Sequence, residues 1–111
     1  MLISGFLLIN STQYKGRQVI HNMKIKKEHY EHIKQEIQNL VSAKGKETIA
    51  EYKKDLLNDT RIKDINVRFR WDLLHAANLD SYVCNTLYIN EGLHDTHIDT
   101  ALKHIVKELC L

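Results

Sequence analysis

Proline is absent from all 111 residues, and glycine occurs only four times, at Gly5, Gly16, Gly45 and Gly92. These are the residues that interrupt helices and build tight turns. Their scarcity argues against a turn-rich β fold and for long helices joined by short links. Cysteine is nearly as scarce: Cys84 and Cys110 make no spaced set, and they read as reduced thiols of a cytoplasmic protein. Charge of one sign is also missing. Sixteen Lys and Arg against 14 Asp and Glu give a formal charge of +2, short of the concentrated positive field of a dedicated nucleic-acid binder. The apolar opening MLISGFLLIN is too short to span a bilayer and lacks the basic start and small-residue cleavage site of an export signal. There is no glycine-rich phosphate loop and no G-x-S-x-G elbow, so the usual carriers of nucleotide hydrolysis and serine-nucleophile chemistry are lacking. No cofactor is expected.

What is present suits one modest folded domain, with 43% apolar and 27% charged residues. Residues 1–22 differ from the rest. Leu2, Ile3, Phe6, Leu7, Leu8 and Ile9 form an apolar arm or short strand, followed by a polar stretch to Gly16. Met23-Lys-Ile-Lys-Lys reads naturally as a protein start. Residues 1–22 are therefore expected either as an upstream-start extension or as an arm that covers an apolar groove on the bundle or on a second copy. The helical domain is assigned to residues 23–111.

Within that domain the apolar spacing is helical throughout. Ile25, Tyr30, Ile33, Ile37, Leu40 and Val41 share one face of a first helix that Gly45 ends. A more polar second helix is predicted from Glu47 to Leu57, with Ile49, Tyr52, Leu56 and Leu57 inward. Asn58-Asp59-Thr60 breaks the pattern and offers capping oxygens. The third helix, about Ile62 to Asn78, carries the row Ile65, Phe69, Leu73 and Ala76, widened by Trp71 and Leu74. Asp80 is expected to cap a short fourth helix through Tyr88 that buries Tyr82, Val83 and Leu87, with Cys84 as a small buried hydrophobe. Thr96 to Asp99 matches a capping box for a last helix that buries Ile98, Ala101, Leu102, Ile105, Val106 and Leu109. The predicted architecture is all-α, a compact bundle of about five helices whose last three form the core.

Three clusters carry candidate chemistry. His94-Asp95-Thr96-His97-Ile98-Asp99 places two imidazoles and two carboxylates within six residues. His94, His97 and Asp99 could therefore ligate a divalent metal, with His75 or Cys84 as a further ligand. Helix capping explains more of the pattern, and no metal is assigned. Arg61, Lys63, Arg68 and Arg70, supported by Lys24, Lys26 and Lys27, could contact phosphates. Asp64 and Asp72 dilute that stretch, and either can pair with Arg68 at helical spacing, so a salt-bridged surface is the simpler account. Arg70-Trp71-Asp72 points three ways around a helix. Trp71 is expected to anchor the core while Arg70 and Asp72 bond neighbouring elements. Alternatively, Arg68, Arg70, Trp71 and Asp72 form the rim of a protein-binding patch, where Trp and Arg commonly dominate the energy.

The string RFRWDLLHAA, a Cys three residues before Leu87-Tyr88, and D-x-HIDTAL together resemble a family of small phage and bacterial prophage proteins without an assigned activity. The resemblance covers about Met23 to Val106. It rests on Arg68, Arg70, Trp71, Asp72, His75, Cys84, Leu87, Tyr88, His97, Asp99 and Thr100. Residues 1–22 have no counterpart, and Asn78 stands where the family pattern has glycine, at a left-handed turn that Asn tolerates. The resemblance implies a bacterial cytoplasmic setting and no substrate. The expected function is that of a non-enzymatic accessory protein that binds a host or phage protein, off the membrane, with homodimer formation left open. The alternatives are a nucleic-acid-binding regulator and a metal-dependent enzyme built on His94, His97 and Asp99.

Overall fold

The computed structural model describes residues 23–111; the expected N-terminal arm, residues 1–22, lies outside the described residues. Among the described residues there are five helical elements and no strands. Helix α1 is Lys27–Lys44, α2 is Lys46–Leu57, α3 is Ile65–Ala76 and α5 is Asp95–Glu108. Helix α4 begins as one α-helical turn, Asp80–Tyr82, and continues through π-helical turns over Val83–Asn90. The all-α bundle read from the sequence is the observed architecture. No helix among the described residues is long and apolar enough to cross a membrane.

The connections are as short as the lack of breakers demands. Gly45, at φ +91°, is the single residue between α1 and α2, and its N–H closes on the Val41 carbonyl at 2.8 Å. That backbone region excludes a Cβ without strain, so glycine is required there. Helix α3 ends where Asn78 turns left-handed at φ 59°. The Leu79 N–H reaches the Leu74 carbonyl at 3.1 Å and the Asn78 N–H the His75 carbonyl at 3.0 Å. This is a Schellman motif with its usual apolar contact, here between buried Leu74 and Leu79. Helix α5 ends the same way: Cys110 takes φ 58°, the Leu111 N–H binds the Val106 carbonyl at 2.9 Å, and Leu111 packs back on the core.

Several helix starts differ from expectation, each because a carboxylate found a stronger partner. Asp59 does not cap α3; it accepts from the Arg61 backbone N–H and guanidinium. The helix therefore begins at Ile65, with Asp64 Oδ1 accepting from the Val67 N–H at 3.1 Å. Asp80 is the first residue of α4, not its cap, and its carboxylate turns to His75. The Thr96–Asp99 capping box does not form. His94 is the N-cap residue of α5 and its N–H donates to His97 Nδ1 at 3.1 Å. Thr96 lies inside the helix, its carbonyl accepting from Thr100 Oγ1, and Asp99 reaches across to Arg70.

The core is shared differently from the prediction that the last three helices make it. Phe69, Leu73, Leu74, Val83, Leu87, Ile98, Leu102 and Ile105 are all buried, but they divide between two clusters. Helix α1 supplies Tyr30, Ile33 and Ile37 to the larger one, with Leu74, Leu79, Val83, Leu87 and the α5 face. Phe69 and Leu73 instead pack on Ile49 and Leu56 of α2. Tyr52 and Leu57, expected inward, are exposed. Ala76 and Cys84 are exposed as well.

Cys84, expected buried, lies off the Val83–Leu87 face that α4 turns to the core. A helix closed by i→i+5 bonds, such as Glu91 N–H to the Thr86 carbonyl at 3.0 Å, is wider and advances less per residue than an α-helix. The same shortening brings both ends of α4 to one imidazole on α1. The Tyr82 hydroxyl bonds His29 Nδ1, and Glu91 lies 3.5 Å from Nε2. The His32 ring packs on Tyr82 from the next turn.

Candidate functional site

The connection from α2 to α3 and the first two turns of α3 frame an open depression of about 730 Å³. Asp59, Arg61, Ile62, Lys63, Asp64, Val67, Arg68 and Trp71 line it. Its position follows from local chemistry. Asp59 and Arg61 close a turn after α2, and Asp64 then caps the start of α3. That register places Val67, Arg68 and Trp71 on one side, three and four residues apart.

Two of the cations around the depression are paired with carboxylates. The Arg61 guanidinium grips Asp59 through two bonds of 2.9 Å, which holds the Asp59 carboxyl below its ordinary pKa. Arg68 Nε lies 3.2 Å from both Asp72 oxygens. Asp72 also accepts from the Tyr52 hydroxyl on α2. Partial desolvation of the hydroxyl on this otherwise exposed side chain, then the bond to Asp72, pushes the Tyr52 phenol up to about 12. Trp71 is half-buried: it packs against the main core cluster and lines the depression. The indole thus has one side in the fold and one facing outward.

The four positions expected at a protein-binding patch are split. Arg68 and Trp71 share the depression with Arg61 and Lys63, and Asp72 stands behind Arg68. Arg70 belongs elsewhere. Its Nε and Nη2 make paired bonds of 2.9 and 3.0 Å to Asp99 on α5, with only 12% of its side chain exposed. The expectation that Arg70 and Asp72 would bond neighbouring elements holds for both: one ties α3 to α5, the other α3 to α2.

Of the alternative metal set, His94 and His97 lie with ring centroids 5.6 Å apart, while the Asp99 carboxylate is held by Arg70. Among the described residues no group of three or more His, Cys, Asp or Glu is placed to hold a metal ion. His75, offered as a further ligand, is exposed and sits 2.6 Å from Asp80. That bond, then the Asp80 charge, raises its pKa. His94 and Asp95 line a second, shallower depression with Tyr88, Gly92, Leu93 and Thr96, where the Tyr88 hydroxyl donates to Asp95.

Sequence reasoning missed the tyrosines. Each described tyrosine closes a junction between elements: Tyr30 with Glu108, Tyr52 with Asp72, Tyr82 with His29 and Tyr88 with Asp95. Burial is the first cause that raises each phenol's pKa. The partners lie between 7 and 78 residues away in the chain, so spacing carries no signal for most of them.

No protein-family model, curated protein or solved structure matches this chain.

Proposed function

We propose that this all-α bundle is a small phage- or prophage-type accessory protein that works in the bacterial cytoplasm by binding a host or phage protein. In this reading it catalyses no reaction itself. The observation that carries the reading is Trp71, anchored in the core on one side and lining an open, charge-rimmed depression on the other. A rigidly held indole beside arginine is the composition of a binding hot spot. The acids at the depression are engaged, Asp59 by Arg61, Asp64 by the Val67 N–H and Asp72 by Arg68. The resemblance of RFRWDLLHAA and DTHIDTAL to small phage and prophage proteins supports the setting. The test compares proteins retained from bacterial lysate by the wild type and by Trp71→Ala, with folding of both checked by circular dichroism. Retention unchanged by Trp71→Ala, or turnover of a substrate by the purified chain, sinks the proposal.

Arg61, Lys63 and Arg68 all line the same depression, which favours nucleic acid as the second reading. Phosphate contacts make affinity fall steeply as salt rises. Duplex and single-stranded probes that show no shift at low salt remove it.

A further inference from the structure

We infer that the first turn of α5 is a pH-sensitive catch, closed by the neutral His97 imidazole and opened when that ring takes up a proton. The hydrogen bond that closes it has a fixed direction. The His94 backbone N–H can only donate, and it reaches His97 Nδ1 at 3.1 Å. That nitrogen must therefore carry a lone pair, which leaves the ring proton on Nε2. In the common capping box the third helical residue accepts this N–H through a Glu or Gln oxygen, which keeps its lone pairs at neutral and mildly acid pH. An imidazole does not. Once Nδ1 is protonated, a donor faces a donor and the bond is lost. The new positive charge also falls in the first turn, where the unpaired N–H groups and the helix dipole disfavour a cation. The catch is thus closed at about pH 8 and opens toward about pH 5, across the range in which imidazoles take up a proton.

The titratable and charged groups around the catch do not offset this. The His94 ring lies 5.6 Å from that of His97, so a proton there adds repulsion. On α5 itself, Asp95 accepts from the Tyr88 hydroxyl of α4, and Asp99 from the Arg70 guanidinium of α3. Both nearby carboxylates therefore already have partners. The residue that the catch fixes also receives the first main-chain bonds of α5: the His97 and Ile98 N–H groups reach the His94 carbonyl at 3.0 and 3.2 Å. Releasing His94 loosens that turn. Beyond it Ile98, Ala101 and Leu102 are fully buried and Arg70 holds Asp99, so the opening stops there. His94, Asp95 and Thr96 line the shallower depression beside Tyr88, whose rim changes with the catch. The Trp71 depression shares none of these residues, so the inference stands apart from the proposed partner binding.

The experiment is NMR on the full, isotope-labelled chain at about pH 8 and about pH 5, for wild type, His97→Gln and His97→Ala. At the higher pH the wild-type His97 ring is expected as the Nε2–H form, with a scalar coupling across the bond from the His94 nitrogen to Nδ1. At the lower pH the coupling disappears. Protection of the Ile98 amide, corrected for intrinsic exchange, then falls about threefold to tenfold, the scale of a lost helix cap. His97→Gln supplies an oxygen that accepts at both pH values, so its protection should not change between them. His97→Ala should show the low protection at both. An Nδ1–H ring at the higher pH overturns the inference, as does a wild type with no loss on acidification. So does a loss that His97→Gln matches, or a His97→Ala protein as protected as wild type at the higher pH.

Discussion

Removing the Asp99 carboxylate isolates the interaction that joins the helix of the candidate site to α5. Arg70 and Asp99 form a two-pronged pair at 2.9 and 3.0 Å, with 12% and 27% of their side chains exposed. Exposed pairs contribute about 0.2–1 kcal/mol, whereas stripping one member from a buried pair costs about 3–5 kcal/mol because a charge is stranded. This pair is sheltered on the arginine side and open to water on the carboxylate side. Asp99→Ala should therefore cost about 2 kcal/mol, between those two limits. For a domain of this size that lowers Tm by about 8–16 °C, at roughly 4–8 °C per kcal/mol. The assay is urea unfolding of Arg70→Ala, Asp99→Ala and the double variant. A coupling energy of about 1–2 kcal/mol is expected from the cycle. Single-variant losses that simply add, or an Asp99→Ala protein as stable as wild type, refute the reasoning. Zinc added to wild type should leave Tm unmoved, since the Asp99 carboxylate is already taken; a rise in Tm that Asp99→Ala abolishes would restore the metal reading.

Gly45→Ala should destabilise by about 1–3 kcal/mol in urea unfolding, because φ +91° strains any L side chain although the nearest atom is 3.8 Å away. Cys110→Gly should stabilise by about 1 kcal/mol, since Cys110 holds a left-handed conformation that glycine adopts freely; an unchanged or lower midpoint refutes this. The raised pKa of His75 means that its link to Asp80 contributes most below the ordinary histidine value and is lost as pH rises through the raised folded value. Titration of the His75 ring by NMR should show that upward shift, and Asp80→Asn should abolish it. Tyr52, pushed up to about 12, should stay un-ionised well above the ordinary tyrosine range, so its junction fails only as pH rises from about 10 toward that value. Comparing phenolate absorbance of wild type and Tyr52→Phe checks this.

The features legible in the sequence were those set by neighbouring residues. Gly45 marks a helix end through a backbone preference that needs no tertiary partner, and the left-handed turn at Asn78, which the resemblance implied, is observed as well. The inner faces of α1 and α5 follow a period of 3.6, and Ile33, Ile37, Ile98, Leu102 and Ile105 are fully buried. Charged and polar side chains were less legible because several near and distant partners compete for each of them. Asp59, Asp80 and Asp99 each looked like capping or first-turn residues, yet Asp59 and Asp80 bind Arg61 and His75 nearby in the chain. Asp99 reaches back 29 residues to Arg70. Cys84 lies outside the Val83–Leu87 face of α4, and no pattern in the string announced the π turns. The depression at Trp71 was half legible. Arg68 and Trp71 stood together in the string, but the turn that places Arg61 and Lys63 beside them depends on Asp59 binding Arg61.

The claim that Trp71 anchors a protein partner is tested most directly by affinity purification of the full chain from bacterial lysate, run in parallel for wild type, Trp71→Ala and, as a control on an exposed α4 side chain, Ile89→Lys. The expected result is a protein retained in stoichiometric amount by wild type and by Ile89→Lys and lost with Trp71→Ala. The same proteins retained by all three, with Trp71→Ala folded, would contradict it.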